Sequence, residues 1–441
     1  MTPSKHLLLI SGGITVVTCL IFMGNLFGYN LNVLAAYGHY IFAAIVILLL
    51  IDSLTLIKSP ILQIEREAPV SMSLGEWHKI KLTLSNREDS LRQLSVIDGY
   101  PQGHDVKDLP QAITIPPSKR LVIHYELRPL HRGEYSFAPS YIKAFSLMGL
   151  WQRQFRIGPT TKTRVYPNFA TISHYLLLAT DNHVSQMGIR QKPRRGEGLE
   201  FHQLREYREG DSMRQIDWKS SARKRKLISR EYQDERDQQI IFMLDCGQRM
   251  RTQDGDLSHF DHCLNAMLLL AYVALKQGDA VGLITFSGQH RWYPPTKGLH
   301  TINQLLNQIY DLQATTQASD YSSAAKHLMQ YQPKRSLIIT LSNVRDENAD
   351  DLIPALKLLR RRHLVLLANL REHILDSLHI QPIEDFNGAL NHAASEVYLK
   401  QRKALHNQLI SQSIFTLDSL PEKLPPAIVN RYLDIKRSNQ L

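Results

Sequence analysis

Two apolar runs open the chain, and two different rhythms follow them. Leu7–Phe27 is 21 residues without a charged side chain, long enough to cross a hydrocarbon core. Tyr40–Ile57 is a second apolar run, interrupted by Asp52, Ser53 and Thr55. A cleaved signal peptide is the rival for the first run, but NLFGYNLNV offers no small-residue cleavage site. The pair predicts a transmembrane helical hairpin over 1–60. Residues 61–167 then alternate polar and apolar positions in short runs: LQIERE, HKIKLTLSN, LSVIDGY, RLVIHYELRP, EYSFAPSYIKAF and WQRQFRI. Turn residues separate them, which predicts a small antiparallel β-sandwich. From residue 239 the rhythm changes again. Short apolar strands at Ile240–Leu244 and Val281–Phe286, then strands at Ser336–Leu341 and Leu364–Leu370, with Ser413–Thr416 last, alternate with helical patterns. Buried strands alternating with helices predict an α/β doubly wound domain over 239–441, its parallel sheet covered on both faces. Asp350 and Ser322 are the predicted N-caps of two of its helices.

Charge refines this picture at the two ends of the apolar hairpin. The loop Asn25–His39 carries no Lys, Arg, Asp or Glu, whereas Lys5 and Lys58 lie outside the pair. The positive-inside rule then places both ends, and the whole body, in the cytoplasm at the inner (plasma) membrane. Asp52 is read as snorkelling or facing the other helix. The formal net charge is +11, which suits an anionic lipid face, an acidic partner or a nucleic acid. The hairpin anchor favours lipid over nucleic acid. Cys19, Cys246 and Cys263 have neither metal-ligand spacing nor the even count of a disulfide framework.

Residues 168–238 form a charged segment between the sandwich and the α/β domain. Between Gly196 and Asp237 ten basic and ten acidic residues cancel, punctuated by Phe201, Tyr207, Trp218 and Tyr232. Disordered linkers rarely carry aromatics at that rate. The pattern predicts a folded, salt-bridged surface packed on the sheet domain, with Trp218 and Tyr207 buried. Arg205, Arg208 and Arg214 interleave with Glu206, Glu209 and Asp211 around Gly210, which suits a turn held by charge-assisted hydrogen bonds. Ala222-Arg223-Lys224-Arg225-Lys226 is a basic cluster, and Arg190, Lys192, Arg194 and Arg195 form another upstream. Arg214 is assigned an internal ion pair and Arg223 a partner-facing role.

Candidate chemistry is sparse. There is no phosphate-binding G-x-x-x-x-G-K-[ST], no G-x-S-x-G elbow and no H-E-x-x-H, so the usual nucleotide, acyl-transfer and zinc-protease signatures are missing. Asp245 closes the first strand of the α/β domain, where such sheets bind ligands. Asp245-Cys246-Gly247-Gln248-Arg249 resembles the metal loop of the von Willebrand factor A domain, D-x-S-x-S. The resemblance implies a Mg²⁺ held by Asp245, by Ser319 in place of the later Thr, and by Asn343 in place of the last Asp. Here Gly247 and Arg249 stand where serines belong, so the site is degenerate, Mg²⁺ binding is expected to be weak or nil, and no cofactor is certain. A second reading makes Asp245 a strand-end carboxylate paired with Arg249.

A narrower resemblance covers nearly the whole chain. The pattern E-F-x-x-L-R-x-Y-x-x-G-D-x-x-R-x-I-D-W-x-x-x-A-R is present from Glu200 to Arg223. Its fixed positions are Glu200, Phe201, Leu204, Arg205, Tyr207, Gly210, Asp211, Arg214, Ile216, Asp217, Trp218, Ala222 and Arg223. RGEYSFAPS, GLWQRQF, VYP and NRYLDIK accompany it. The chain thereby resembles domain-of-unknown-function family 58. That resemblance implies a bacterial or archaeal, membrane-anchored, von Willebrand-type protein acting with a MoxR-type AAA+ ATPase. The expected function is a non-enzymatic inner-membrane scaffold or adaptor that docks this ATPase or its client, with membrane lipid as a second partner and no nucleic acid. The alternatives are a metal-dependent enzyme with a site near Asp245 and an anionic-lipid-binding module.

Overall fold

The computed structural model describes residues 1–26, 32–56, 62–87, 92–168, 200–208, 213–233, 238–380, 383 and 385–438. The chain divides into two compact units, Met1–Val165 and Tyr166–Leu441.

In the first unit, two helices, α1 (Lys5–Leu26) and α2 (Asn32–Leu54), precede the strands. The expected transmembrane hairpin, and with it the two-pass inner-membrane location, is corrected here. Among the described residues no helix is long and apolar enough to cross a membrane. The second apolar run is also not a free span at its distal end, where strand-unit residues hold it. The Asp52 carboxylate accepts from Ser146 Oγ at 2.6 Å and from Met148 N at 3.0 Å. Trp151 Nε1 donates to Leu49 O at 3.1 Å, and Arg153 donates to Leu56 O at 3.1 Å. Asp52 therefore neither snorkels nor faces the other helix; it is buried and hydrogen-bonded. The first run is interrupted by Ser11, Thr15 and Thr18, whose hydroxyls fold back onto helix carbonyls.

The strands are β1 (Leu62–Glu67), β2 (His78–Asn86), β3 (Arg92–Gly99), β4 (His104–Lys107), β5 (Gln111–Ile115), β6 (Arg120–Pro129), β7 (Gly133–Phe145), β8 (Trp151–Ile157) and β9 (Thr161–Tyr166). One antiparallel sheet has the order β1-β2-β6-β4. In the other, the long β7 pairs with β8, β9 and β3, and β3 also pairs with β5. Strand alternation puts every second residue inward: Ile80, Leu82 and Leu84 from β2 and Leu94 and Val96 from β3 are buried. A buried polar tie joins the sheets. Arg66 on β1 meets Asp98 on β3 through Nε at 2.9 Å and Nη2 at 2.5 Å, and Tyr125 on β6 donates to the same carboxylate at 2.5 Å.

The second unit begins with a hairpin of β10 (Glu200–Glu206) and β11 (Ile228–Gln233), carrying the short helix α3 (Trp218–Lys224) between them. Then come β12 (Gln239–Asp245), α4 (His259–Lys276), β13 (Ala280–Phe286), β14 (Trp292–Thr296), α5 (Thr301–Ile309), α6 (Tyr321–Tyr331), β15 (Leu337–Ser342), α7 (Ala349–Arg360), β16 (Leu364–Leu370), α8 (His373–Ile380), α9 (Phe386–Ser411), β17 (Phe415–Ser419) and α10 (Leu424–Arg437). The sheet order is β14-β13-β12-β15-β16-β17, parallel except for β14. Helices α4, α5 and α10 cover one face and α6, α7 and α9 the other. Chain order leaves β12 in one direction to reach β13 and returns on its other side to reach β15. The carboxyl ends of β12 and β15 therefore flank the crevice where such sheets place ligands.

Candidate functional site

Asp245 stands at that crevice as the last residue of β12, fully buried. Its Oδ1 accepts the Gly247 N–H at 2.8 Å. Its Oδ2 accepts three hydroxyls: Ser342 at 2.6 Å, Ser319 at 2.7 Å and Tyr321 at 3.4 Å. Ser342 ends the neighbouring strand, Ser319 lies just before α6 and Tyr321 opens it, so one carboxylate ties three segments. Burial raises the carboxyl pKa above the ordinary aspartate value, while the Ser342, Ser319, Gly247 and Tyr321 bonds pull it down less strongly. Burial and the Asp245 charge together push the Tyr321 phenol upward.

The residues present do not fit the implied metal. The carboxylate's acceptor positions are already taken by one amide and three hydroxyls. The serine that the metal loop requires at position 247 has no room: a Cβ there would stand 2.5 Å from Ser319 Oγ and 3.2 Å from Gln317 O. Ser319 does reach Asp245, but Asn343 does not. Asn343 is buried and turns Nδ2 to Glu372 Oε1 at 2.9 Å and to His259 Nδ1 at 3.2 Å. Among the described residues no three His, Cys, Asp or Glu side chains are grouped to hold a metal ion. The alternative pairing of Asp245 with Arg249 is not made either. Arg249 bonds to Asn348 Oδ1 and, at 2.6 Å, to Glu347 Oε2. The Cys246 thiol is fully buried and directed at Leu244 O.

Next to Asp245 a second polar cluster closes the sheet's carboxyl edge. Arg345 Nη2 meets Glu372 Oε1 at 3.1 Å. Burial opposes ionisation of Glu372, but the Asn343 and Arg345 bonds prevail and its pKa falls. Burial holds His259 below the ordinary histidine value. Its Nδ1 faces an Asn343 amide donor, so the proton belongs on Nε2. Arg402, reaching in from α9, bonds to Val344 O, Leu370 O and Asp418, and so clamps the ends of three strands.

The charged signature takes a different form from the expected one. Asp217 caps α3, accepting from Ser220 N at 2.9 Å, and pairs with Arg230 Nε at 2.9 Å. The Ser220 amide, then Arg230, lower its pKa. Ile216 is buried and bridges to Ser229. Trp218, expected to be buried, is 67% exposed. It is the first residue of a helix of only seven residues, whose buried side chain is Ser221, so the apolar anchor is Ile216 and not the aromatic. Tyr207 is half-buried, Leu204, Ala222 and Arg223 are exposed, and Arg205 is half-buried. Glu200 and Phe201 start β10, and Arg214 lies in a short 3-10 turn. The side chains of these three residues, together with Gly210, Asp211 and the basic run Arg190–Arg195, fall outside the described residues. Ser342, Tyr321 and Arg230 were missed from sequence. Ser342 reaches Asp245 through strand register across 97 residues, which leaves no local spacing to detect.

A strand-end carboxylate at the switch point of a doubly wound sheet, preceded by a compact signature hairpin, defines the class of this unit. Residues 203–391 match the family described as "Protein of unknown function DUF58". The "Uncharacterized protein YeaD" of Bacillus subtilis (strain 168) is 21% identical over 199 residues, 43% of this chain and 46% of that protein. The matched stretch thus spans about half the length of this curated relative. Among solved structures, native alpha-2-macroglobulin from Escherichia coli is 21% identical over 24% of this chain and 17% of its own, with a TM-score of 0.22. A CARDB domain from Pyrococcus furiosus is 13% identical over 24% of this chain and 93% of its own, with a TM-score of 0.16. Likeness at those scores carries no argument about fold or function.

Proposed function

We propose that this chain is a non-enzymatic adaptor or scaffold that docks a MoxR-type AAA+ ATPase or its client through the signature hairpin and the von Willebrand-like domain. One observation carries the reading. Helix α3 and its flanks present Trp218, Met213 at 77% exposure and Leu227 at 50%, next to exposed Arg223, Lys224, Arg225 and Lys226. An exposed tryptophan among apolar and basic neighbours has the composition of an interface hot spot. Lys226 is paired with Glu206 at 2.9 Å, and the adjacent Arg223, Lys224 and Arg225 select an acidic partner surface and speed encounter with it. The non-enzymatic part is supported by Asp245, whose hydrogen-bonding capacity is spent inside the protein.

The test is binding of a purified MoxR-type ATPase to the full chain, measured by surface plasmon resonance. Trp218→Ala should weaken binding on the order of 30-fold, as loss of a hot-spot aromatic does. Arg223→Ala with Lys224→Ala should slow association and reduce its salt dependence. Unchanged affinity and association rate in both variants would contradict the reading.

A further inference from the structure

At the carboxyl edge of the parallel sheet, polar atoms from four side chains are buried without a hydrogen-bond partner among the described residues. They are Asn343 Oδ1 just past β15, Glu372 Oε2 just past β16, Arg345 Nε, and the Tyr398 hydroxyl on α9. Folded proteins leave few such atoms unmet, because each costs the desolvation of a polar group. These atoms belong to one cluster. Glu372 Oε1 accepts from Asn343 Nδ2 at 2.9 Å and from Arg345 Nη2 at 3.1 Å, so the unmet Oδ1, Oε2 and Nε each flank that shared contact. The Arg345 guanidinium also lies over the Tyr398 ring, 5.8 Å from its centroid. Turning the Asn343 amide does not relieve the cluster. Its two N–H groups serve Glu372 and His259 Nδ1, and the reverse orientation would set its oxygen against the Glu372 carboxylate.

The cluster borders open space. Arg345 and Tyr398 line a groove of about 510 Å³ together with Leu390, Ala393 and Val397 of α9. An apolar cleft of that size with a few converging polar groups has the make-up of a small-molecule site. We propose that the groove binds a small apolar primary carboxamide. Its carbonyl would accept from Arg345 Nε and Tyr398 Oη, its NH₂ would donate to Glu372 Oε2 and Asn343 Oδ1, and its apolar body would lie on Leu390 and Val397.

The unmet atoms select this ligand. Arg345 Nε only donates, whereas Asn343 Oδ1 and the ionised Glu372 Oε2 only accept. A carboxylate would meet the donor and face the Glu372 charge; an amine would meet the acceptors and face Arg345. Either ion would also arrive without a counter-charge, because Arg345 is already matched by Glu372 and the groove residue Glu347 by Arg249 at 2.6 Å. An uncharged carboxamide satisfies donor and acceptors together and puts no unpaired charge in a buried place. Water offers the same two-sided bonding but leaves the apolar wall uncovered. The inference does not rest on the ATPase reading, because it uses no residue of the signature.

Saturation-transfer NMR on the full chain tests it, with isovaleramide as the probe. Isovaleramide should bind with a dissociation constant on the order of a millimolar, as a ligand this small allows. Isovalerate and isoamylamine carry the same apolar body with one charge and should show little transfer. Tyr398→Phe should weaken isovaleramide about 3–10-fold, the worth of one hydrogen bond, without lowering the melting temperature, since the hydroxyl has no internal partner to lose. Val397→Asp, at a position 57% exposed, should abolish binding in a folded chain. Trp218→Ala should leave it unchanged. N-acetylglutamine methylamide offers the same amide on a peptide; tighter binding than isovaleramide identifies a peptide side chain as the source, weaker binding a free small molecule. Absence of transfer to isovaleramide, which would leave water alone in the cluster, would overturn the inference. So would equal binding of isovalerate or isoamylamine, or unchanged affinity in both Tyr398→Phe and Val397→Asp.

Discussion

Two buried carboxylates, one in each unit, are satisfied in opposite ways. Asp98 lies between the sheets of the first unit and Asp245 at the end of the parallel sheet in the second. Asp98 has a cation: Arg66 meets it in a two-pronged contact, both side chains fully buried, and Tyr125, Ser140 and the Gly99 amide also donate to it. Arg66 spends its other donors on Pro159 O and Ala138 O. Among the described residues Asp245 has no cation in contact, only three hydroxyls and one amide. A buried ion pair of the first kind has matched charge and fixes how two sheets face each other. A hydroxyl clamp of the second kind leaves a buried charge balanced by dipoles alone, which raises the carboxyl pKa. Position therefore does not make a site. Asp245 stands where ligands bind in such folds, yet its bonds make it a fastener of β12, β15 and the start of α6.

Breaking the Asp98 tie should give the largest effect. Arg66→Ala leaves a buried carboxylate without its cation and should cost about 3–5 kcal/mol, read as a downshift of the β unit's transition by scanning calorimetry. Breaking the Asp245 clamp should cost less. Asp245→Asn keeps one acceptor oxygen for the hydroxyls but sets an amide among donors, at about 1–3 kcal/mol. Should Asp245→Asn prove the costlier change, the ranking of ion pair over hydroxyl clamp is wrong.

Acid should sharpen the contrast between the units. Burial first, and then Arg362, push His363 down from the ordinary 6.5 to about 4; His259, His262 and His406 of the same unit are lowered too, also by burial. The unfolded chain takes up these protons near pH 6.5 and the folded chain only at lower pH. Stability is thus complete above about pH 6.5 and is lost as pH falls from there towards 4, the unfolded state binding more protons throughout. His363 alone can contribute on the order of 3 kcal/mol of this loss as an upper bound. Urea midpoints between pH 7.5 and 4.5 should fall more steeply for the wild type than for His363→Phe, which removes the titrating ring. Parallel slopes would remove His363 from the account.

The smallest expected effect is at Trp218. Being exposed, it should change stability by less than about 0.5 kcal/mol on truncation to alanine. A drop of several kcal/mol would show that it is packed after all.

Much of the architecture was legible where a local pattern decides the outcome. HKIKLTLSN and RLVIHYELRP are the residues of β2 and β6, and Ile240–Leu244 lies inside β12. Strand β14, WYPPT, was missed because two prolines argue against a strand; it survives as an edge, where an absent N–H faces outward. The caps read at Ser322 and Asp350 fall at Asp320 and Asn348, a shift of the size expected at helix ends. Hydropathy identified the two N-terminal helices but not how α2 is held: the bonds from Ser146, Met148 and Trp151 come from about a hundred residues away. Trp218 failed for a related reason. Aromatic content measures what burial would gain, whereas a one-sided seven-residue helix capped by Asp217 decides which way the ring faces. At Asp245 the sequence indicated Ser319, but Ser342 and Tyr321 arrive through sheet register and a distant loop, and Asn343 is claimed by Glu372 and His259.

The comparison of the two carboxylates rests on Asp245 being closed to cations. Calorimetric titration of the full chain with Mg²⁺ measures this directly. The closed clamp requires no binding isotherm below millimolar concentration, in the wild type and in Asp245→Ala alike. A submillimolar isotherm in the wild type that disappears in Asp245→Ala would show that the hydroxyls yield to a metal, and the clamp would have to be redrawn as a working ion site.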